Sequence, residues 1–257
     1  MNINSQRGAA LIVVMFVLLL VAVVGSMAIR QSITGLNIAT NSQVQSLLQQ
    51  NTDAVFFAIE QDNKNQNLLE RNLSSLGMLG MVKSDQFLSK EVVFCYRPKS
   101  QENMFALSKT SVVAWNSEGE ISNTELGNQG FCRYQDSDYS SGRDAVISQV
   151  AVKKATLNTD NPFKYYPLGT DPTTVQLEQV QPVRIVVTSV IPGAGTREWK
   201  ASEINACFDG YMNEKRTNDD DKETVASCFS DLGIPYTQQV MDYAVIHYAT
   251  KQTAAGS

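Results

Sequence analysis

The apolar residues of this 257-residue chain are concentrated near its N-terminus. From Ala9 to Ile29 there is no charged residue, and Arg7 and Arg30 flank this run of 21 residues on its two sides. A helix over such a run would be about 31 Å long, close to the thickness of the hydrocarbon core of a bilayer. Because a buried core helix is usually shorter and carries a polar stripe, the run predicts a membrane-spanning helix over 9–29.

Helical periodicity continues beyond this run. Apolar residues recur at spacings of three, four and eight, and the positions between them are mostly Ser, Thr, Asn and Gln. No proline occurs before Pro98, so nothing forces a break. The pattern predicts one helix over 9–61, apolar all round in its first half and amphipathic in its second half, which needs a surface to pack against. The apolar positions are Ile29, Ile33, Leu36, Val44, Leu47, Val55 and Ile59.

Residues 62–250 are predicted to form a body that begins with a short helix or loop over 61–90 and continues with strands and turn-rich loops. A disordered tail is predicted over 251–257. Runs rich in Val, Ile and Phe, separated by Gly, Asn and Ser clusters, are typical of strands. The chain therefore predicts an α+β fold, with a long N-terminal helix packed on a mostly antiparallel sheet. The predicted strands are Glu91–Arg97, Met104–Leu107, Ser111–Trp115, Ala145–Val152, Val183–Val190 and Val240–Tyr248.

Charge and composition exclude several function classes. The chain has 21 Lys and Arg against 26 Asp and Glu, a formal net charge of −5, and no basic run. It therefore lacks the electrostatic footprint of a dedicated duplex-DNA binder, and no direct specific nucleic-acid binding is expected. His247 is the one histidine. Without a second histidine or a nucleophile motif beside it, the sequence favours neither an enzyme nor a cofactor-binding protein.

Three further groups of residues were considered as binding sites. Asp219–Asp221 with Glu223 offer oxygen ligands for calcium, but a solvated acidic loop is the favoured interpretation. Residues 136–142 resemble the start of an EF-hand loop, although the glycine falls one place late and the twelfth position lacks glutamate. No metal site is therefore predicted. Aromatic residues in or near strands suit either an adhesive surface or the core, and the core is favoured. These residues are Trp115, Trp199, Tyr165, Tyr166 and Tyr243.

All four cysteines, Cys95, Cys132, Cys207 and Cys228, lie beyond the apolar run. Because their spacing is not that of a zinc knuckle, disulfides in an oxidising compartment are favoured over four free buried thiols. Four cysteines permit three pairings. We prefer local closure, Cys95 with Cys132 and Cys207 with Cys228, each loop contributing roughly 3 kcal/mol in the chain-entropy model.

The N-terminus carries a specific resemblance. A polar leader over 1–8 ends in Arg7-Gly8 directly before the apolar run, which is too long for a typical secretory signal and has no small-x-small cleavage site after it. The segment Gln6-Arg7-Gly8-Ala9-Ala10-Leu11-Ile12-Val13 resembles the start of the PilX minor pilins, within the type IV pilin-like superfamily. The stronger resemblance covers about residues 6–40. A weaker one lies in Cys207–Tyr248, where the segment Cys228–Tyr236 is similar to PilX proteins. The GspK pseudopilins are similar to the N-terminal pattern as well.

This resemblance implies cleavage by prepilin peptidase between Gly8 and Ala9, followed by N-methylation of Ala9. Arg7 favours a cytoplasmic leader, but Arg30 lies at the other end of the run, and the four cysteines of the body decide the orientation: the N-terminus is expected in the cytoplasm and the body in the periplasm. Most pilins carry a glutamate at the fifth mature position, where this chain has Val13, and that carboxylate is thought to pair with the amine of the preceding, tipward subunit. Val13 therefore fits a subunit at the fibre tip, the alternative being an ordinary lipid-facing residue.

The resemblance implies a non-enzymatic minor pilin that primes type IV pilus assembly at the tip and supports twitching, adhesion and DNA uptake in natural transformation. Its expected partners are other minor pilins, a PilY-type tip adhesin, the inner-membrane assembly platform and prepilin peptidase. The expected location is the inner membrane before assembly and the pilus tip afterwards. Two alternatives are a GspK-like tip pseudopilin of a type II secretion system and an uncleaved single-pass receptor with a periplasmic ligand-binding domain.

Overall fold

The structure is a computed structural model. It describes residues 7–100, 103–134, 138–155, 181–215 and 223–245. The chain divides into two compact units, Met1–Ser46 and Leu47–Ser257. A single helix, α1 (Arg7–Lys64), contributes to both units. Its length of 58 residues agrees with the predicted long N-terminal helix and follows from a sequence without proline before Pro98.

In the described part of the chain, the second unit is built around one antiparallel sheet of six strands in the order β3-β2-β1-β4-β5-β6. Every pairing between neighbouring strands is antiparallel. Together with α1 this sheet confirms the predicted α+β class. The strands are β1 (Lys90–Cys95), β2 (Ser111–Trp115), β3 (Ile121–Ser122), β4 (Ile147–Lys154), β5 (Gln181–Val190) and β6 (Tyr236–Val245). The shorter helices are α2 (Gln66–Leu73), α3 (Met78–Met81), α4 (Ala201–Asp209) and α5 (Val225–Asp231).

One face of the sheet carries the apolar core that α1 completes. Side chains alternate between the two faces of each strand, so Val92 and Phe94 share a face while Glu91 and Val93 lie on the other. Within the second unit, the buried side chains of α1 follow a helical spacing, and fully burying each large apolar one contributes about 1.5–3 kcal/mol. These buried residues are Leu48, Thr52, Val55, Phe56 and Ile59.

A chain of hydroxyl groups ties α1 to the sheet within this unit. The Thr52 hydroxyl donates to Ser189 Oγ on β5 at 2.8 Å and lies 3.0 Å from the Leu48 carbonyl oxygen. Ser189 Oγ is 2.8 Å from Ser148 Oγ on β4, which is 2.9 Å from Ser140 Oγ. Each buried hydroxyl thus has a partner, which avoids the cost of burying an unpaired polar group.

The other face carries the disulfides and the short helices α4 and α5. Cys95 at the end of β1 is joined to Cys132, and Cys207 on α4 is joined to Cys228 on α5, with Cα–Cα distances of 4.8 and 5.6 Å. This is the local pairing that the sequence analysis prefers. The Phe208 and Phe229 rings pack edge to face beside the second disulfide, 4.9 Å apart.

Two predicted details are wrong. Met104–Leu107 is not a strand: residues Leu107–Lys109 form a 3-10 turn instead. The Phe105 side chain, 6% exposed, inserts into the core edge-on to Phe94 with ring centroids 5.5 Å apart. A short apolar run can fill a core from a loop as well as from a strand, which is why its composition is misleading.

The amphipathic stripe of α1 also begins later than predicted. Every residue from Leu11 to Gln43 is exposed, including Ile33 and Leu36, which the helical spacing had placed on a buried face. The predicted positions Val44 and Leu47 are half-buried, and the first buried residue of the helix is Leu48. Residues beyond Val245, which include the end of the predicted strand Val240–Tyr248 and the predicted tail, lie outside the described part of the chain.

Candidate functional site

The first candidate site is the apolar segment of α1, Leu11–Ile29. Its large apolar side chains are 42–68% exposed. Contiguous apolar surface of this extent marks a membrane or protein contact, because water disfavours it. By length and composition, α1 contains one helical stretch that could cross a membrane.

The residues predicted for processing lie at the start of this helix. Gly8 and Ala9 are helical residues of α1. Val13 is 60% exposed and belongs to the same apolar surface. No side chain from Ala9 to Ile29 is charged. The segment can therefore associate with another apolar surface or a lipid bilayer.

A second candidate site, which the sequence did not reveal, is a buried carboxylate in the body. Glu91 on β1 is 1% exposed. Its oxygens accept hydrogen bonds from the backbone N–H of Asn213, at 3.1 Å to each oxygen, and from Asn213 Nδ2 at 2.8 Å. Burial raises the pKa of Glu91, while the hydrogen bonds from Asn213 and the nearby Lys153 ammonium act in the opposite direction.

Charged side chains continue this site across the sheet. In the strand register Lys153 pairs with Arg184 and Arg184 pairs with Asp242. Glu214 forms ion pairs with Lys153 and, at 2.9 Å, with Arg184. Burial alone would raise the pKa of Glu214, but these two cations outweigh that effect and hold the pKa below its usual range. The two hydrogen bonds from Arg184 lower the pKa of Asp242 as well.

Glu91, Lys153, Arg184, Glu214 and Asp242 form a charged row. This row holds the segment that follows α4. Met212, 6% exposed, packs into an apolar cluster with Val93 and Phe131. Asn213 binds Glu91 and also accepts a 2.9 Å hydrogen bond from Gln238 on β6. A cavity of about 350 Å³ adjoins the row. Glu91, Glu214 and Asp242 each have a partner within the protein, so the row links β1, β4, β5 and β6 to the segment after α4.

A similar arrangement surrounds the first disulfide. Asp138, 4% exposed, accepts hydrogen bonds from Arg97 at 2.5 and 3.0 Å and from the Arg133 backbone N–H at 2.8 Å. Arg133 in turn pairs with Asp209 on α4 at 2.5 Å. The one carboxylate of the EF-hand-like segment that the structure describes is therefore bound to arginine; Asp136 and Ser137 lie outside the described residues.

The remaining sequence candidates do not converge on one site. Trp115 and Tyr243 are half-buried and pack against the apolar clusters of the sheet, and Trp199 packs against the cluster around α4 and α5. The Arg197 guanidinium also lies 3.4 Å from the Trp199 ring centroid. These described aromatics pack on the core, as the sequence analysis favours. His247, Asp219–Asp221, Tyr165 and Tyr166 lie outside the described residues.

Fold and site together define a protein with an exposed apolar helix of membrane-spanning length and a disulfide-bonded α+β body. No protein-family model, no curated protein and no solved structure matches the chain.

Proposed function

We propose that this protein is a PilX-like minor pilin, which is inserted in the inner membrane through α1 and primes type IV pilus assembly at the tip. The observation that carries the proposal is the division of α1. Its exposed apolar part, Leu11–Ile29, continues without interruption into a part whose Val55 and Ile59 are fully buried on an antiparallel sheet. This combination agrees with the resemblance of residues 6–40 to minor pilins.

The proposed assembly step uses the apolar segment twice. In the bilayer its side chains contact lipid, and in a fibre they would contact the equivalent helices of other pilins. Both surroundings are apolar, and both leave the backbone hydrogen bonds of the helix intact. The free energy of transferring the helix from the bilayer to the fibre is therefore close to zero. The direction of assembly must then come from the inner-membrane platform, after prepilin peptidase has cut between Gly8 and Ala9.

Val13 supports a tip position. A glutamate at this place would need the amine of a tipward neighbour, since an unpaired carboxylate is costly in an apolar fibre core. A subunit with no neighbour above it needs no such carboxylate. In this proposal the partners are other minor pilins and a PilY-type tip adhesin, and the pilus serves twitching, adhesion and DNA uptake.

The proposal is tested with processing variants in the native host. Gly8→Arg places a large charge before the cleaved bond, and we expect the uncut chain in membranes and its loss from sheared surface fibres. Gly25→Ala is the matched control in the same helix, because nothing lies within 4 Å of the added Cβ. We expect the Gly25→Ala protein both in membranes and in sheared surface fibres. If Gly8→Arg reaches the fibres at the wild-type level, the processing model is wrong.

The tip position has its own test. We expect Val13→Glu to lower the number of fibres per cell, because the new carboxylate finds no amine to neutralise it. Val14→Thr is the polar but uncharged control. Normal fibre numbers with Val13→Glu would place the protein within the shaft. Wild-type protein in a secretion fibre would favour the GspK-like alternative instead.

A further inference from the structure

The two edges of the sheet are protected very differently. Among the strands that the structure describes, β3 ends one edge with two residues, whereas β6 ends the other with ten. Short strands, lysines and prolines normally protect edges against pairing with other chains. β6 contains neither proline nor lysine. Its one charged residue, Asp242, is bound by Arg184 at 2.7 and 3.0 Å.

The hydrogen-bond register shows which backbone groups face outward. The Ile191 N–H donates to the Pro235 carbonyl oxygen at 3.0 Å, which makes 191 and 235 a hydrogen-bonded pair at the start of the β5–β6 ladder. Hydrogen-bonded and non-hydrogen-bonded pairs alternate along an antiparallel ladder. The N–H and C=O groups of alternate β6 residues therefore point away from β5. These residues are Tyr236, Gln238, Val240, Asp242 and Ala244.

Side-chain exposure agrees with an open edge. Every residue of β6 from Tyr236 to Tyr243 is exposed or half-buried, and Val240 is 55% exposed. On the neighbouring β5, by contrast, Ile185 and Val187 are fully buried. Among the described residues, β5 is the one strand paired with β6.

We propose that the outer edge of β6 accepts an extended strand from a different subunit of the same fibre. The inference rests on the proposed function for the identity of the donor. The backbone of the incoming strand supplies hydrogen bonds to the outward groups, and its side chains supply selectivity. A segment of about seven residues spans positions 236–242 at roughly 3.3 Å per residue.

The edge also defines the chemistry of the incoming strand. The residue placed beside Val240 is apolar, because it covers an exposed valine. The residue placed beside Asp242 is neutral or basic, since a second carboxylate there would repel it. A second copy of this chain is disfavoured because each copy carries a net charge of −5.

The experiment uses full-length protein in the native host, with the photo-crosslinker p-benzoylphenylalanine in place of Tyr236. We expect one discrete adduct, whose cross-linked peptide comes from an extended segment of another fibre subunit. Adding Val240→Pro removes an outward N–H and places a proline ring at the edge. It should lower the adduct about fivefold or more, since it costs at least one hydrogen bond.

Two matched variants separate lost docking from lost folding. Val240→Thr keeps the outward N–H and should retain the adduct. Gln239→Pro removes an N–H that faces β5, so it should lower the unfolding midpoint, whereas Val240→Pro should leave that midpoint nearly unchanged. A crosslinker at Leu126, an exposed loop residue, should not capture the same peptide.

Each outcome decides the proposal. No adduct, an adduct to a second copy, or an adduct insensitive to Val240→Pro would overturn it. The N-terminal mass of the same sample tests the proposed function separately. A correctly processed fibre subunit without an adduct would refute the strand-accepting edge and leave the pilin proposal standing. An uncut chain that still forms an adduct sensitive to Val240→Pro would refute the pilin proposal. It would also show that the strand donor lies outside a fibre.

Discussion

The two units of the molecule differ in how they treat their apolar side chains. In the first, every residue from Leu11 to Gln43 is exposed although most residues from Leu11 to Ile29 are apolar. In the second, several buried groups have partners within the unit: Ile59 packs in the core, the Thr52 hydroxyl bonds Ser189, and Glu91 bonds Asn213. The difference shows that the first part of α1 exposes apolar surface that needs an apolar environment, whereas these groups of the body are satisfied within it.

The largest expected effect comes from placing charge in that exposed segment. We expect Val17→Asp combined with Val21→Asp to cost about 5–7 kcal/mol of insertion free energy, from about 2.5–3.5 for each central charge. The chain should then be released from membranes by alkaline carbonate extraction. Phe57→Asp, at a residue 60% exposed in the second unit, is the control and should remain in membranes. Full membrane retention of the double variant would contradict the claim that the exposed apolar segment of α1 holds the protein in the membrane.

The next test reverses the roles of the two units. Ile59→Ala removes a fully buried side chain and should lower the free energy of unfolding by about 2–5 kcal/mol. Ile33→Ala, at a residue 55% exposed, should change it by less than about 0.5 kcal/mol. Denaturant unfolding followed by tryptophan fluorescence measures both. Equal effects of the two variants would show that burial of Ile59 does not stabilise the body more than the exposed Ile33 does.

A smaller effect is expected from the hydroxyl chain. Thr52→Val keeps the side-chain shape but removes the hydrogen bond to Ser189, so it should cost about 1 kcal/mol. Thr40→Val is the matched control, because the exposed Thr40 hydroxyl bonds only the Leu36 carbonyl oxygen of its own helix in the described structure. Comparable losses from both variants would mean that the Thr52 contact to β5 adds nothing.

The last expected effect concerns pH. Because burial raises the pKa of Glu91 in the folded state, this group favours folding most at low pH. Its contribution should weaken as the pH rises from about 4.5 through the folded-state pKa, with a slope of at most about 1.4 kcal/mol per pH unit. Wild type minus Glu91→Gln isolates this slope in pH-dependent unfolding. A flat difference between wild type and Glu91→Gln over this pH range would refute the raised pKa.

The sequence predicts the features that composition controls. An uncharged run and the absence of proline are sufficient for α1, and Val-rich runs are sufficient for β1, β2, β4 and β5. The short helices α4 and α5 were not predicted, although the cap at Thr224, which bonds the Ser227 N–H at 3.2 Å, was an available signal for α5. Phe105 was misassigned because a loop residue and a strand residue can fill the same core.

The polar site could not be predicted because it depends on contacts between distant parts of the chain. Glu91 and Asn213 are separated by 122 positions. Neither residue carries a local motif, and a glutamate in a strand usually faces solvent. The disulfide pairing was simpler, because only three arrangements were open and local closure agrees with the observed Cys95–Cys132 and Cys207–Cys228 bonds.

The most direct test of the proposed function is the mass of the mature N-terminus, measured on protein from native membranes and from sheared surface fibres. The account predicts a chain that begins at N-methylated Ala9 in both fractions. A chain that still begins at Met1 and is confined to membranes, in cells with active prepilin peptidase, would contradict it. A membrane-anchored receptor would then be the better description.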